Sequence, residues 1–197
     1  MDAPGPSVTL VRHGETAWSR SGQHTGRTDL PLTADGLGLP FAVGRDLRAA
    51  APFDVVFSSP LQRARRTAEL AGLAPYEVVD DLREWDYGAL EGRTSADIRT
   101  EWPDWTIWDG PWPEGEDRSA VAARCDRVVA RLRAEPSSRR VAVVAHGHIL
   151  RALAARWVGT DIGAGRWLSL ATATVSVLGW EHATPVIDTW NRRPAQP

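Results

Sequence analysis

Ser7-Val8-Thr9-Leu10-Val11-Arg12 runs straight into His13-Gly14-Glu15-Thr16, and this stretch decides the architecture. The first six residues are mostly apolar and β-branched and too short for a helix; they end on polar groups and a glycine, as a buried strand ending in a working turn does. The pattern recurs at 53–58 (F-D-V-V-F-S), before Ser59-Pro60, and at Arg140–Ala145 (R-V-A-V-V-A), before His146-Gly147. Longer Ala-, Leu- and Arg-rich segments lie between these runs. They predict helices over 60–70, with Ser59 as N-cap and Pro60 in the first helical position, over 119–132 and over 149–158. A further helix is predicted over 33–50, with Pro40 breaking or kinking its start. Strands over 175–180 and 185–190 read as a closing hairpin. Short strands alternating with helices predict an α/β fold around a mostly parallel sheet. Ligands of such sheets collect at the carboxyl ends of the strands, so His13, Ser59 with Arg63, and His146 are expected to share one crevice.

The 197 residues suit one domain spanning 1–197. The formal charge is -2, with 43% hydrophobic and 24% charged residues, so a dedicated nucleic-acid surface is not expected. All 23 basic residues are Arg, which removes Schiff-base chemistry and a P-loop lysine; compositional bias is sufficient reason for the missing Lys. One cysteine, Cys125, permits no internal disulfide. Neither a secretory leader nor a membrane span is expected, and the reading is a cytoplasmic protein with no membrane partner. The stretch W-P-D-W-T-I-W-D-G-P-W-P-E-G at 102–115 is aperiodic and reads as an ordered loop, part of a Trp-rich lid over about 93–117. Its four Trp are expected either to pack the loop onto the core or to stack on a flat substrate group.

Four short motifs carry chemistry. Arg12-His13-Gly14 sets an imidazole and a guanidinium at a strand end, and composition predicts only about 0.05 chance occurrences of that tripeptide. A neutral imidazole attacks phosphorus if one ring nitrogen is free and the other is held as a donor. Arg63 falls in the first turn of a helix, where anions are already favoured. Ala145-His146-Gly147-His148 offers a second imidazole. Metal ligation by His146 and His148 is the competing reading, although no companion Asp/His cluster stands at ligand spacing. In Leu82-Arg83-Glu84-Trp85-Asp86-Tyr87-Gly88, a carboxyl group can protonate a departing alkoxide; Glu84 is the first choice and Asp86 the second.

These motifs, in this order, resemble the histidine phosphatase superfamily, also called phosphoglycerate mutase-like, from Val8 to about Trp180. The resemblance implies a three-layer α/β/α sandwich, a phosphohistidine intermediate, and neither metal nor cofactor. It implies His13 as nucleophile, Arg12, Arg63 and His146 as holders of the phosphoryl group, and Glu84 as proton donor. The run 18–33, together with R-E-W-D-Y-G, W-T-I-W-D-G and A-H-G-H-I-L-R, is similar to the sedoheptulose-bisphosphatase-like and actinobacterial acid phosphatase members. That likeness implies a substrate side lined by Ser19, Gln23, His24, Thr25, Gly26 and Gly147, with Arg151 contacting a second anionic group. The expected activity is metal-independent hydrolysis of small phosphomonoesters, releasing inorganic phosphate, by a chain compatible with a homodimer. A cofactor-dependent phosphoglycerate mutase and a non-catalytic phospholigand-binding protein are the alternatives. Mutases of the family carry a longer insert rich in Lys and Arg, whereas the segment here offers only Arg93 and Arg99, which favours hydrolysis.

Overall fold

The computed structural model describes residues 4–48 and 52–195. Six strands, β1 (Ser7–Arg12), β2 (Val55–Ser58), β3 (Glu77–Val78), β4 (Arg140–Ala145), β5 (Val175–Glu181) and β6 (Thr184–Arg192), make one sheet in the order β3-β2-β4-β1-β5-β6. The first four in that order run parallel, and β5 and β6 close the far side as an antiparallel hairpin. The register of β1 on β4 runs from Ser7 opposite Arg140 to Arg12 opposite Ala145, so the two strands end level.

Alternation along the strands fills both faces of the sheet. Val8, Leu10, Val141, Val143 and Ala145 enter one core, with helices α5 (Arg118–Arg133) and α6 (Gly147–Trp157). Val11 and Val144 enter the other, with α2 (Ala34–Arg48) and α3 (Gln62–Leu70). The result is the expected α/β/α sandwich, in which each fully buried Val or Leu contributes about 1.5–3 kcal/mol. Two short helices, α1 (Ala17–Ser21) and α4 (Ser95–Arg99), sit in the connections and lie outside the predicted elements. Each is fixed by a capping box, Thr16 with Ser19 and Thr94 with Asp97, a signal too local for hydrophobic periodicity to register. No described helix is long and apolar enough to cross a membrane.

Three helix starts bear on the reading of the sequence, and α6 begins at Gly147 rather than Ile149, directly after its N-cap His146. Of the break or kink expected at Pro40, the break is absent: α2 continues from Ala34 through Pro40 to Arg48. The ring deprives the Gly36 carbonyl of its usual donor, at a cost of about 3 kcal/mol for an interior proline. That carbonyl lies against Gly14, where a Cβ would stand 2.4 Å from it, and the Pro40 ring packs on the same glycine. Close docking of α2 onto the turn after β1 therefore offsets the strain. Helix α3 begins at Gln62 rather than Pro60, with Leu61 and not Ser59 at the N-cap. The Ser59 hydroxyl does accept from the Leu61 amide at 3.3 Å, but it also faces His146 and is drawn out of the helical path. The predicted span 33–50 ends at Arg48, and its last two positions lie outside the described residues.

Candidate active site

The level ends of β1 and β4 set the site. The His13 amide donates to the Ala145 carbonyl at 2.9 Å, and the Ser59 amide donates to the Val144 carbonyl at 3.0 Å, which pins three strand ends side by side. The rings of His13 and His146 consequently lie with centroids 5.1 Å apart. His13 Nδ1 is 2.6 Å from the Gly14 carbonyl oxygen. A carbonyl can only accept, so Nδ1 carries the proton and Nε2 keeps a bare lone pair. Burial, then the charges of Arg63 and Arg12, drives the His13 pKa well below the usual imidazole range, and the ring is neutral at pH 7.

Arg63 is fully buried. Its Nε–H donates to His146 Nδ1 at 3.1 Å, Nη1 to the Thr28 carbonyl at 2.9 Å, and Nη2 to the carbonyls of Thr25 and Gly26 at 3.1 Å each. Because Arg63 can only donate, His146 accepts at Nδ1 and donates from Nε2 to Ser59 Oγ at 2.7 Å. Burial and Arg63 hold the His146 pKa far below normal as well. Arg12 spends Nη1 on the Leu170 carbonyl, while its buried Nε–H has no partner among the described residues. A Cβ on Gly147 would come within 3.3 Å of the Arg12 guanidinium carbon, so the glycine gives that group its room. Arg12 and His13 border the same cavity, and an orphaned cationic N–H on one with a free imidazole nitrogen on the other suits an anion there.

Glu84 is anchored by backbone alone. Oε1 accepts from the amides of Trp85 at 2.9 Å and Ile149 at 2.8 Å, and Oε2 from that of His148 at 2.9 Å. The carboxylate thereby caps the start of α6, whose own N-cap, His146, provides no side-chain cap. Asp86, the second choice as proton donor, is turned away: it pairs with Arg27 at 2.8 Å and accepts the Gly88 amide at 3.0 Å.

A cavity of ≈ 160 Å³ opens over His13, and Arg12, Ser19, Gln23, His24, Thr25, Glu84, Gly147 and Arg151 border it. Ser19 already serves the Thr16 capping box, and Gln23 Nε2 donates to the Gly92 carbonyl at 2.7 Å. Gly26 does not border this cavity; its carbonyl is held by Arg63 and its amide by Glu91. Arg151 lies over the Trp108 ring, 4.8 Å from its centroid, with no carboxylate partner among the described residues. Two further wall residues, Tyr87 and Leu170, carry no role in the sequence reading: Tyr87 lies inside R-E-W-D-Y-G, which is the signal that could have found it, and Leu170 lies in no motif and looks like ordinary core. Of the four lid tryptophans, Trp105 and Trp108 are buried, and Trp112 stacks on Trp85 with centroids 5.9 Å apart. Packing onto the core thus accounts for them. Among the described residues, no three His, Cys, Asp or Glu side chains gather to hold a metal ion.

The match to the family model for branch 1 of the histidine phosphatase superfamily covers residues 8–193. The chain belongs to this superfamily. Among its relatives, an acid phosphatase of Mycobacterium tuberculosis is 42% identical over 176 residues, covering 89% of this chain and 87% of that protein. The sedoheptulose 1,7-bisphosphatase of Saccharomyces cerevisiae is 37% identical over 194 residues, covering 82% and 71%. A solved protein from a Mycobacterium tuberculosis open reading frame superposes with a TM-score of 0.93 at 39% identity, covering 96% and 99% of the two chains. The sandwich described above is thus the histidine phosphatase fold.

Proposed function

We propose that this histidine phosphatase hydrolyses small phosphorylated metabolites, sugar phosphates and bisphosphates foremost, without a metal and through a phosphohistidine on His13. The free Nε2 of a neutral His13, on the same cavity wall as an Arg12 whose Nε–H has no partner among the described residues, carries the proposal. In the first step Nε2 attacks phosphorus in line, the N–P bond forms, the ester P–O bond breaks, and protonated Glu84 gives its proton to the departing alkoxide. Arg12 and Arg63 neutralise the phosphoryl oxygens, and His146 trades Ser59 for one of them. In the second step water attacks phosphorus, Glu84 takes the water proton, and the N–P bond breaks to return His13 and inorganic phosphate.

The sugar-phosphate preference rests on the sedoheptulose 1,7-bisphosphatase relative and on the polar walls of the cavity. Hydrolysis is favoured over phosphoryl shuttling because Arg93, one of two cations in the 93–117 segment, is tied to Glu101 at 2.6 Å. Phosphate release from a panel of sugar phosphates, bisphosphates and phosphoglycerates, measured with chelator present, is the test. Release supports the proposal; interconversion of phosphoglycerates without release favours the mutase, and binding without turnover favours the phospholigand-binding protein.

A further inference from the structure

A second cavity, ≈ 260 Å³, adjoins the one over His13, and Ser95, Arg99, Trp105, Thr106, Ile107, Trp108 and Arg166 border it. His24 and His148 belong to the walls of both. Their rings stand with centroids 6.0 Å apart and form the wall that the two spaces share.

His148 is held in one state. Its Nδ1 lies 2.5 Å from Tyr87 Oη. A phenol O–H is a stronger donor than a neutral imidazole N–H, so Tyr87 donates and His148 accepts. The imidazole proton must then sit on Nε2, which makes no hydrogen bond to any described residue. Burial first, then Arg151, His24 and Arg12, keeps this ring from taking a second proton, and burial raises the pKa of Tyr87 so that it keeps its own. The ring edge packs on Trp108 with centroids 5.6 Å apart, and the His148 amide is bound to Glu84. An uncharged N–H donor is thus fixed on the cavity wall, on a residue whose own backbone amide holds the group expected to protonate the leaving oxygen.

We propose that His148, oriented by Tyr87 in the wall shared by the two cavities, selects phosphate esters that carry an oxygen acceptor near the scissile bond, polyols and sugars, over plain alkyl esters. The inference rests on the phosphatase reading and names the chemical class that reading would favour. A donor that is satisfied by a substrate hydroxyl is left unpaired by an alkyl chain, and that difference is about tenfold or more in kcat/KM. Tyr87 acts through His148 and is a positioning residue.

The test compares a four-carbon polyol phosphate with butyl phosphate, using wild type, His148→Leu, His148→Gln and Tyr87→Phe. Wild type is expected to prefer the polyol about tenfold, chiefly through KM. His148→Leu is expected to bring the ratio near one. His148→Gln, whose amide N–H can replace Nε2–H, should keep the ratio within about threefold of wild type, and Tyr87→Phe should fall between. An unchanged ratio in folded His148→Leu overturns the inference, as does a ratio in His148→Gln as low as in His148→Leu, which would mean packing alone. Should His148→Leu fail to fold, a wild-type ratio in Tyr87→Phe overturns it equally. A wild-type protein that releases phosphate from neither ester, with no label on His13, overturns the phosphatase reading itself.

Discussion

The carboxylate of Glu84 and the amide of Ile149 meet at 2.8 Å, so the proposed proton donor is fastened to the first turn of α6, the same helix whose N-cap is His146. Replacing Glu84 with Gln removes the transferable proton and puts an NH₂ group against one or more of these amides. Turnover of alkyl and sugar phosphates is expected to fall about 100-fold or more, and that of aryl phosphates, whose leaving group needs little protonation, far less. Kinetics on matched alkyl and aryl esters check this. Equal losses on both would remove Glu84 from the donor role.

Arg63 serves three carbonyls and one imidazole at once. Arg63→Lys keeps the charge but cannot spread donors over that fork, and leaves buried acceptors unpaired. A loss of about 3 kcal/mol in unfolding free energy, together with a fall in kcat, is expected in denaturant titration and steady-state assay. A variant of wild-type stability and kcat would contradict the geometry described for Arg63.

Four histidines, His13, His24, His146 and His148, have pKa values lowered by burial, His24 to about 4. The unfolded chain takes up protons on them as pH falls below about 6.5, while the folded chain does not. Their contribution to stability is therefore full above that pH and lost as the pH descends toward the folded values. Tm is expected to drop steadily from pH 7 to pH 5, and less steeply in His24→Gln. Identical slopes for the two proteins would contradict the burial assigned to His24.

What the sequence disclosed and what it hid follow from how local each signal is. β1 and β4 are continuous apolar runs that end on marked residues, and their bounds are as read. The start of α3 depends on Ser59 meeting His146, 87 positions away, which no local rule contains. The continuity of α2 likewise depends on Gly14 and Gly36 allowing two backbones to touch. Trp105 and Trp108 sit in a segment without periodicity, and only the fold reveals that they complete the core around Trp85. Arg12, His13, Arg63 and His146 are legible as one group because strand ends of a parallel sheet converge, whereas Glu84, at no strand end, is legible only from R-E-W-D-Y-G. The jobs of Tyr87 and His148 were not, since a tyrosine in an apolar setting reads as packing.

Trp112 lies over Trp85 and donates from Nε1 to the Ile107 carbonyl at 2.8 Å. Trp112→Ala is expected to lower stability by about 3 kcal/mol and to leave the preference between aryl and sugar phosphates within about twofold of wild type. A selective loss on aryl phosphates would restore the stacking role for this residue.

The central claim is a covalent bond between phosphorus and His13 Nε2. Rapid denaturing quench of the protein with a phosphorus-labelled substrate, followed by peptide mapping, tests it most directly. Acid-labile, alkali-stable label on the peptide containing His13, absent from His13→Ala, which in turn should lose at least about 1,000-fold in turnover, is the expected result. Label on another residue, or normal hydrolysis by His13→Ala, would contradict it.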